Sequence, residues 1–212
     1  MEMLARLAEM LQRGEDQDVL RLTREAVAQG LPAARILNDG LIAGMNVVGE
    51  RFKCHDIFLP DVLLAARAMY AGMEELKPLL IRDGVPARGR VVLGTVQGDL
   101  HDIGKNLVAI MLRGAGYEVV DLGHNVAPAA FVDAAERADA RVIGLSALLT
   151  TTMPVMRQVV EQVRARGLAG RVRVIVGGAP VSADFAREIG ADDYVYDGAS
   201  AVDKVASLMA AR

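Results

Sequence analysis

Residues 91–104 read VVLGTVQGDLHDIG, a short apolar run followed by a polar turn with glycines, acids and one histidine. Four more short apolar runs follow along the chain, and helical segments separate them. The runs cover 91–96, 118–123, 142–147, 172–178 and 193–197. Strands that alternate with helices form parallel sheets covered on both faces, so that the strands are apolar throughout. The pattern predicts a doubly wound domain around a five-stranded parallel sheet.

The part of the chain before this domain has a different period. Residues 1–81 show apolar side chains at helical spacing and few strand signals. Four predicted helices with short connections indicate a small bundle. The third, predicted over 33–52, contains Gly40, Gly44 and Gly49. Each glycine costs about 1 kcal/mol relative to alanine inside a helix, so we expect another helix to approach closely there.

A polar, turn-rich stretch over 82–89 separates the two parts and is interpreted as a linker. We therefore predict a helical domain over 1–84 and a sheet domain over 90–212. The second domain is expected to have the flavodoxin-like, Rossmann-like fold.

Composition limits the possible classes of function. The chain has 212 residues, is 52% apolar and carries a net charge of −3, without long blocks of either sign. That balance argues against nucleic-acid and membrane partners. The first residues lack the pattern of a secretory signal, and no apolar stretch approaches the roughly 20 residues of a membrane span. We expect a cytoplasmic protein without disulfides, because Cys54 is the single cysteine.

The predicted topology indicates where a ligand would bind. In the strand order 2-1-3-4-5, the switch point lies between strands 1 and 3, at their carboxyl ends. The loops concerned are 97–104 and 146–152, which are rich in polar residues. His101 lies in the first loop between Asp99 and Asp102, and a metal-binding imidazole usually donates its other N–H to such a carboxylate.

Other interpretations of this loop are possible from the residues alone. An isolated loop histidine more often caps a helix or lies in solvent. A phosphate site is disfavoured by the two carboxylates and by the lack of Walker and dinucleotide patterns. A receiver domain would need an aspartate at the end of strand 3, where this chain has Ser146.

The segment 99–106, DLHDIGKN, resembles the signature of the cobalamin-binding domain of methionine synthases and corrinoid methyl-carrier proteins. The family pattern is Asp-x-His-x-x-Gly, then Ser-x-Leu, then Gly-Gly. In this chain SAL at 146–148 and GG at 177–178 follow in that order. GMNVVGERF at 44–52 and FLP at 58–60 resemble the family's helical cap. The resemblance covers nearly the whole chain.

The resemblance implies that the corrinoid loses its own lower base and that His101 binds cobalt instead, a His-on, base-off mode. Asp99 would hold the far imidazole nitrogen, and Thr152 would continue a proton chain from Asp99, which makes these three the implied catalytic residues. Ser146 and Thr150 would line the cavity of the displaced nucleotide tail. The implied cofactor-binding residues are Gly98, Asp99, His101, Asp102, Ile103, Gly104, Ser146, Leu148, Thr150, Thr152, Gly177, Gly178 and Phe58.

Phe58 is the candidate for covering the other face of the corrinoid, and the alternative is a place in the core of the bundle. Ala43 departs from the family, since some members carry an acid there. The contact between the cap and the corrinoid edge is therefore left open.

A cap and a corrinoid domain together resemble the carrier subunit of a methyltransferase system. The implied cofactor is cobalamin or a related corrinoid, as methylcobalamin in the loaded form. A donor-specific methyltransferase would load a methyl group from methanol, a methylamine or an aryl methyl ether. An acceptor methyltransferase would pass it to tetrahydrofolate or a thiol, and a reductive activation protein would restore the cofactor. Such a subunit is not catalytic alone.

Two alternatives from other classes remain open. A corrinoid sensor or storage protein would bind the cofactor without methyl transfer. A flavin- or nucleotide-binding domain would share the fold, but the histidine motif argues against it.

Overall fold

The computed structural model describes residues 2–210 and divides the chain into two compact units. One unit contains the chain up to Ala87 together with Gly114–Gly116. The other contains Arg88–Arg113 and the chain from Tyr117 onward. Among residues 2–210, no helix combines the length and the apolar character that a membrane crossing requires.

The first unit is helical. Its elements are α1 (Glu2–Gln12), α2 (Asp16–Ala28), α3 (Ala33–Arg35), a π-helical segment (Ile36–Ile42), α4 (Ala43–Lys53) and α5 (Leu59–Arg82). The predicted third helix is thus an unbroken helical stretch whose middle is π-helical. A Cβ on Gly40 would lie 2.7 Å from the Leu7 side chain, and one on Gly44 would lie 2.9 Å from the Ala8 carbonyl oxygen. The close approach that the glycines predicted is confirmed at these two positions, where α1 packs.

The second unit is an α/β domain with a five-stranded, fully parallel sheet. Its strands are β1 (Arg90–Thr95), β2 (Glu118–Asp121), β3 (Val142–Ser146), β4 (Arg173–Gly177) and β5 (Asp193–Val195). Its helices are α6 (Ile103–Gly114), α7 (Pro128–Ala138), α8 (Met153–Ala165), α9 (Ala183–Ile189) and α10 (Gly198–Ala210). The strand order is β2-β1-β3-β4-β5, so the predicted fold class and its switch point are confirmed.

The core of this domain follows from the apolar strands. Val92 and Ile143 are fully buried on neighbouring strands, in register with each other, and Phe131 of α7 is fully buried against them. A Cβ on Gly94 would lie 2.6 Å from the Phe131 ring, so the glycine makes room for the aromatic side chain. This packing fixes the end of β1, and therefore the loop that begins at its last residue.

Candidate functional site

Asp99 is the centre of the polar cluster at the carboxyl end of the sheet. It lies in the tight turn after β1, where its N–H donates to the Val96 carbonyl oxygen at 3.1 Å. Its side chain is fully buried. A buried carboxylate needs hydrogen-bond donors, because burial removes the water that would otherwise solvate its charge.

The loop after β3 supplies three of those donors. Asp99 Oδ2 accepts from the Leu148 N–H at 2.7 Å, from the Leu149 N–H at 3.1 Å and from Thr152 Oγ1 at 2.9 Å. The two loops of the switch point are thus joined through one carboxylate oxygen.

His101 supplies the donors for the other oxygen. Asp99 Oδ1 accepts from the His101 backbone N–H at 3.0 Å and lies 2.7 Å from His101 Nδ1. Burial alone would raise the pKa of Asp99. The bonds from His101, Leu148 and Thr152 outweigh burial and hold the pKa well below its usual range. Asp99 is therefore a carboxylate at neutral pH.

The ionised state of Asp99 determines the tautomer of His101. A carboxylate only accepts hydrogen bonds, so His101 Nδ1 carries the proton of the 2.7 Å contact. In the neutral imidazole Nε2 then keeps its lone pair, which is the form that binds a metal. The side chain is 52% exposed, and the Thr95 hydroxyl holds the His101 carbonyl oxygen at 3.0 Å. The arrangement presents one basic nitrogen at the surface of the domain.

Thr152 is almost fully buried beside Asp99 and has two acceptors for one hydroxyl proton. Its Oγ1 lies 2.9 Å from Asp99 Oδ2 and 2.8 Å from the Leu149 carbonyl oxygen. The proton can therefore turn from the carboxylate to the carbonyl without any movement of heavy atoms.

Two glycines at the end of β4 lie directly beside the loop after β3. Gly177 is in register with Ser146, and the Ala147 N–H donates to the Gly177 carbonyl oxygen at 3.2 Å. Gly178 has a φ of +128°, and a Cβ there would lie 1.8 Å from the Ala147 carbonyl oxygen. No side chain fits at Gly178, because the Ala147 backbone occupies the position of its Cβ.

The remaining predicted residues of this domain fall into two groups. Gly98, Asp102, Ile103 and Gly104 form the turn and the start of α6, and Ile103 is 73% exposed. Leu148 and Thr150 are exposed in the loop after β3.

Phe58 belongs to the helical unit. It precedes α5, where its N–H donates to Asp61 Oδ2 at 2.9 Å. Its side chain is 68% exposed, which rules out the alternative that it lies in the core of the bundle.

The sequence did not single out the contribution of the loop after β2. Asn125 accepts from the Gly98 N–H at 2.8 Å and donates its own N–H to the Asp99 carbonyl oxygen at 3.0 Å. Lys105, nearly fully buried in the first turn of α6, donates to both carboxylate oxygens of Asp121 at 2.6 Å. The strand order could have indicated these contacts, because β2 lies next to β1 and the loops that follow the two strands must be neighbours.

Comparisons with known proteins show the family to which the chain belongs. Residues 89–206 match a family described as B12 binding domain, and residues 3–77 match a second family of the same description. The chain belongs to the B12-binding family. Its cofactor is cobalamin or a related corrinoid, as the sequence predicted.

Relatives of this B12-binding chain extend over its whole length. It is 42% identical to trimethylamine corrinoid protein 1 of Methanosarcina mazei, over 99% of the chain and 97% of the relative. It is 43% identical to dimethylamine corrinoid protein 1 of Methanosarcina acetivorans, over 99% and 98%. Its structure matches the methanol:cobalamin methyltransferase complex of Methanosarcina barkeri with a TM-score of 0.89 and 31% identity. That match covers 100% of this chain and 81% of the other.

The residues of the site fit a corrinoid. His101 offers a single imidazole nitrogen, which suits a metal whose other ligands come from a macrocycle. Gly178 lets the end of β4 pack directly on the Ala147 backbone, which keeps the loop after β3 close to this edge of the sheet. Leu148 and Ile103 add exposed apolar side chains around the histidine, and these suit the largely apolar face of a corrin ring.

Proposed function

We propose that this protein carries a methyl group on the cobalt of a corrinoid, between a donor-specific methyltransferase and an acceptor methyltransferase. His101 would hold the cobalt through Nε2, in place of the corrinoid's own lower base. One observation carries the proposal: the 2.7 Å bond from His101 Nδ1 to the buried, ionised Asp99, which leaves Nε2 available at the surface.

The corrinoid supplies a cobalt centre that accepts and releases the methyl group; the protein supplies binding and electrostatics. Asp99 keeps His101 in the tautomer with a free Nε2 and raises the basicity of that nitrogen. Thr152 adjusts the charge on Asp99, because its hydroxyl proton can lie on the Asp99 side or on the Leu149 side. These residues therefore control how strongly His101 donates to a metal.

The other predicted residues receive binding roles in this proposal. Gly177 and Gly178 line the path of the displaced nucleotide tail, and Ser146 and Thr150 provide hydroxyl groups along it. Support comes from the register of Ser146 with Gly177 on neighbouring strands.

We assign residues 1–84 to a cap and residues 90–212 to the corrinoid-binding domain. Within the cap, Phe58 would be a residue that contacts the corrinoid. The exposure of this ring supports the role, because an apolar ring that is not packed in the core can contact a ligand.

The relatives indicate which partners to test. Two relatives at 42% and 43% identity are named as trimethylamine and dimethylamine corrinoid proteins, so a methylamine is the donor class that we propose first. Methanol and aryl methyl ethers are the alternatives, and tetrahydrofolate or a thiol is the acceptor. A reductive activation protein completes the proposed system.

The first test is a visible spectrum of protein reconstituted with methylcobalamin, for wild type, His101→Ala and His124→Ala. His124 is an exposed histidine of the same domain and serves as the matched control. We expect a His-ligated spectrum for wild type and His124→Ala, and a base-off spectrum for His101→Ala. Identical spectra in all three proteins would contradict the ligand assignment.

The carrier role needs a second assay. Protein loaded with isotopically labelled methylcobalamin is mixed with an acceptor methyltransferase and its thiol or tetrahydrofolate. We expect the label to appear in the acceptor at a rate that depends on the carrier concentration. Tight corrinoid binding with no transfer to either acceptor class would favour the sensor or storage alternative.

A further inference from the structure

Asn125 lies outside the motif residues but contacts the turn that contains them. It is in the loop between β2 and α7, next to Val126, which pairs with Val96 at the end of β1. Its backbone has a φ of +54°, in the left-handed region that asparagine tolerates better than most residues. The β2–α7 loop is therefore held against the turn by a local pairing and directed by an unusual backbone conformation.

Asn125 forms two hydrogen bonds to the turn after β1, one through its side chain and one through its backbone. Asn125 Oδ1 accepts from the Gly98 N–H at 2.8 Å, and the Asn125 N–H donates to the Asp99 carbonyl oxygen at 3.0 Å. The two bonds bracket Gly98 and Asp99 from both ends. Only the side-chain oxygen can accept from an N–H, so the orientation of the amide follows from the contact itself.

The bracketed segment determines where the Asp99 carboxylate points. That carboxylate accepts five hydrogen bonds, two from His101 and three from the loop after β3. A carboxylate that satisfies donors from two separate loops tolerates little displacement, since hydrogen bonds weaken steeply with poor angles. Gly98 has a φ of +85° and no side chain of its own to hold it in place. The bond to Asn125 supplies that restraint.

We propose that Asn125 is a positioning residue: it holds Gly98 and Asp99 so that Asp99 keeps His101 in the metal-binding tautomer. The role rests on the proposed function, in which His101 is the ligand to cobalt. Asn125 acts through Asp99 and has no contact with His101 among the bonds described.

Because the backbone of Asn125 is left-handed, two substitutions can change its side chain and keep the conformation of the loop. Asn125→Gly keeps the conformation and the backbone N–H, because glycine adopts positive φ readily, and removes only the bond to the Gly98 N–H. Asn125→Asp keeps both the conformation and an acceptor oxygen. The pair separates the side-chain acceptor from the fold of the loop.

The first readout uses the apoprotein. Long-range proton–nitrogen spectra of ring-labelled histidine report which nitrogen of His101 carries the proton. We expect the Nδ1–H tautomer in wild type and in Asn125→Asp, and a mixture of tautomers in Asn125→Gly. An unchanged tautomer in Asn125→Gly overturns the proposal, as does an equal loss in both variants.

The second readout uses protein loaded with cob(II)alamin. Electron paramagnetic resonance shows splitting from the axial histidine nitrogen, and its intensity gives the His-ligated fraction. Loss of a direct partner of a metal ligand costs about 10–100-fold in affinity, so for this indirect partner we expect about three- to tenfold weaker ligation in Asn125→Gly. Asn125→Asp should restore ligation, and equal ligation in wild type and Asn125→Gly overturns the proposal.

The two readouts also separate this inference from the proposed function. A wild-type protein that binds no corrinoid would contradict the proposed function, while the apoprotein tautomer would still decide the role of Asn125. The urea unfolding midpoint of each variant checks that the fold is retained.

Discussion

Asp99 lies in the turn after β1 and Asp121 is the last residue of the neighbouring strand β2, and the protein stabilises their charges in different ways. Asp99 is fully buried and accepts hydrogen bonds from neutral groups. Asp121 is 25% exposed in its side chain and forms an ion pair with the buried ammonium of Lys105 at 2.6 Å. Burial would raise the pKa of either carboxyl, and its hydrogen-bond donors lower it instead.

The difference suggests a division of labour. Lys105 neutralises the charge of Asp121, so this carboxylate has no electrostatic effect on a ligand. The ion pair therefore stabilises the fold. The charge of Asp99 is solvated by neutral dipoles but not cancelled, so it still acts on the imidazole of His101. A carboxylate held in this way can tune a metal ligand, whereas a carboxylate in a tight ion pair cannot.

Asp99→Asn should produce the largest effect. Whichever way the amide turns, its NH2 group meets N–H or O–H donors from His101 or from the loop after β3. Unsatisfied buried donors cost about 1–3 kcal/mol each, so we expect a loss of about 3–5 kcal/mol in the free energy of unfolding. Loss of the carboxylate should also weaken histidine ligation about 10–100-fold. Urea unfolding of the apoprotein and the spectrum of the cobalamin-loaded protein measure the two effects.

Asp102→Asn is the matched control, because Asp102 belongs to the same turn and is only partly buried. We expect nearly unchanged stability. A similar loss in both variants would show that the turn responds to any change of charge, and the comparison of the two carboxylates would fail.

Lys105→Met should lower stability without changing histidine ligation. Removal of one partner of a buried ion pair costs about 3–5 kcal/mol, and the partial exposure of Asp121 reduces this to about 2–3 kcal/mol. The double variant Lys105→Met/Asp121→Asn should recover part of the loss, because it removes the uncompensated charge. A changed axial spectrum in Lys105→Met would mean that the ion pair also serves the site.

The sequence predicted the strands and helices of the sheet domain well, because their apolar periods are strong and separated by clear turns. The pairing of Asp99 with His101 could also be predicted, since two residues in one turn are close in any fold. The role of Asn125 could not, because its bonds form between loops that only the strand order brings together. Lys105 gave no signal, since a lysine in the first turn of a helix usually lies in solvent and here is buried.

The π-helical segment over Ile36–Ile42 was also beyond sequence reasoning. A shift from i→i+4 to i→i+5 hydrogen bonds changes the helix locally and leaves the apolar pattern on either side nearly the same. The third helix was therefore predicted with correct type and with bounds close to those of the structure, but without this internal change.

Thr152→Val should have a smaller effect than either preceding substitution. Valine has nearly the shape of threonine and removes one of the five bonds to Asp99, so we expect a loss of about 1–2 kcal/mol in the free energy of unfolding. Thr152→Ser keeps the hydroxyl and should retain histidine ligation, which Thr152→Val should weaken by a few fold. If Thr152→Ser and Thr152→Val ligate equally well, the hydroxyl has no part in tuning Asp99.

The smallest effect that we expect is a difference between Asp99 and Asp121 in how salt changes acid unfolding. The pKa of each is lower in the folded state than the ordinary value of 3.8, so unfolding takes up protons. Their contribution to stability is complete above that value and is lost as the pH falls below it through the folded pKa. Salt screens the Lys105–Asp121 pair weakly, because Lys105 is buried and Asp121 is only 25% exposed, and it barely affects the neutral donors around Asp99. Acid unfolding at low and high salt, in wild type, Asp99→Asn and Asp121→Asn, measures both contributions.

We expect salt to reduce the difference in stability between wild type and Asp121→Asn and to leave the difference in stability between wild type and Asp99→Asn unchanged. If salt changes the two differences equally, both carboxylates are stabilised by charged groups. The neutral hydrogen-bond donors around Asp99 would then not be what stabilises its charge in solution.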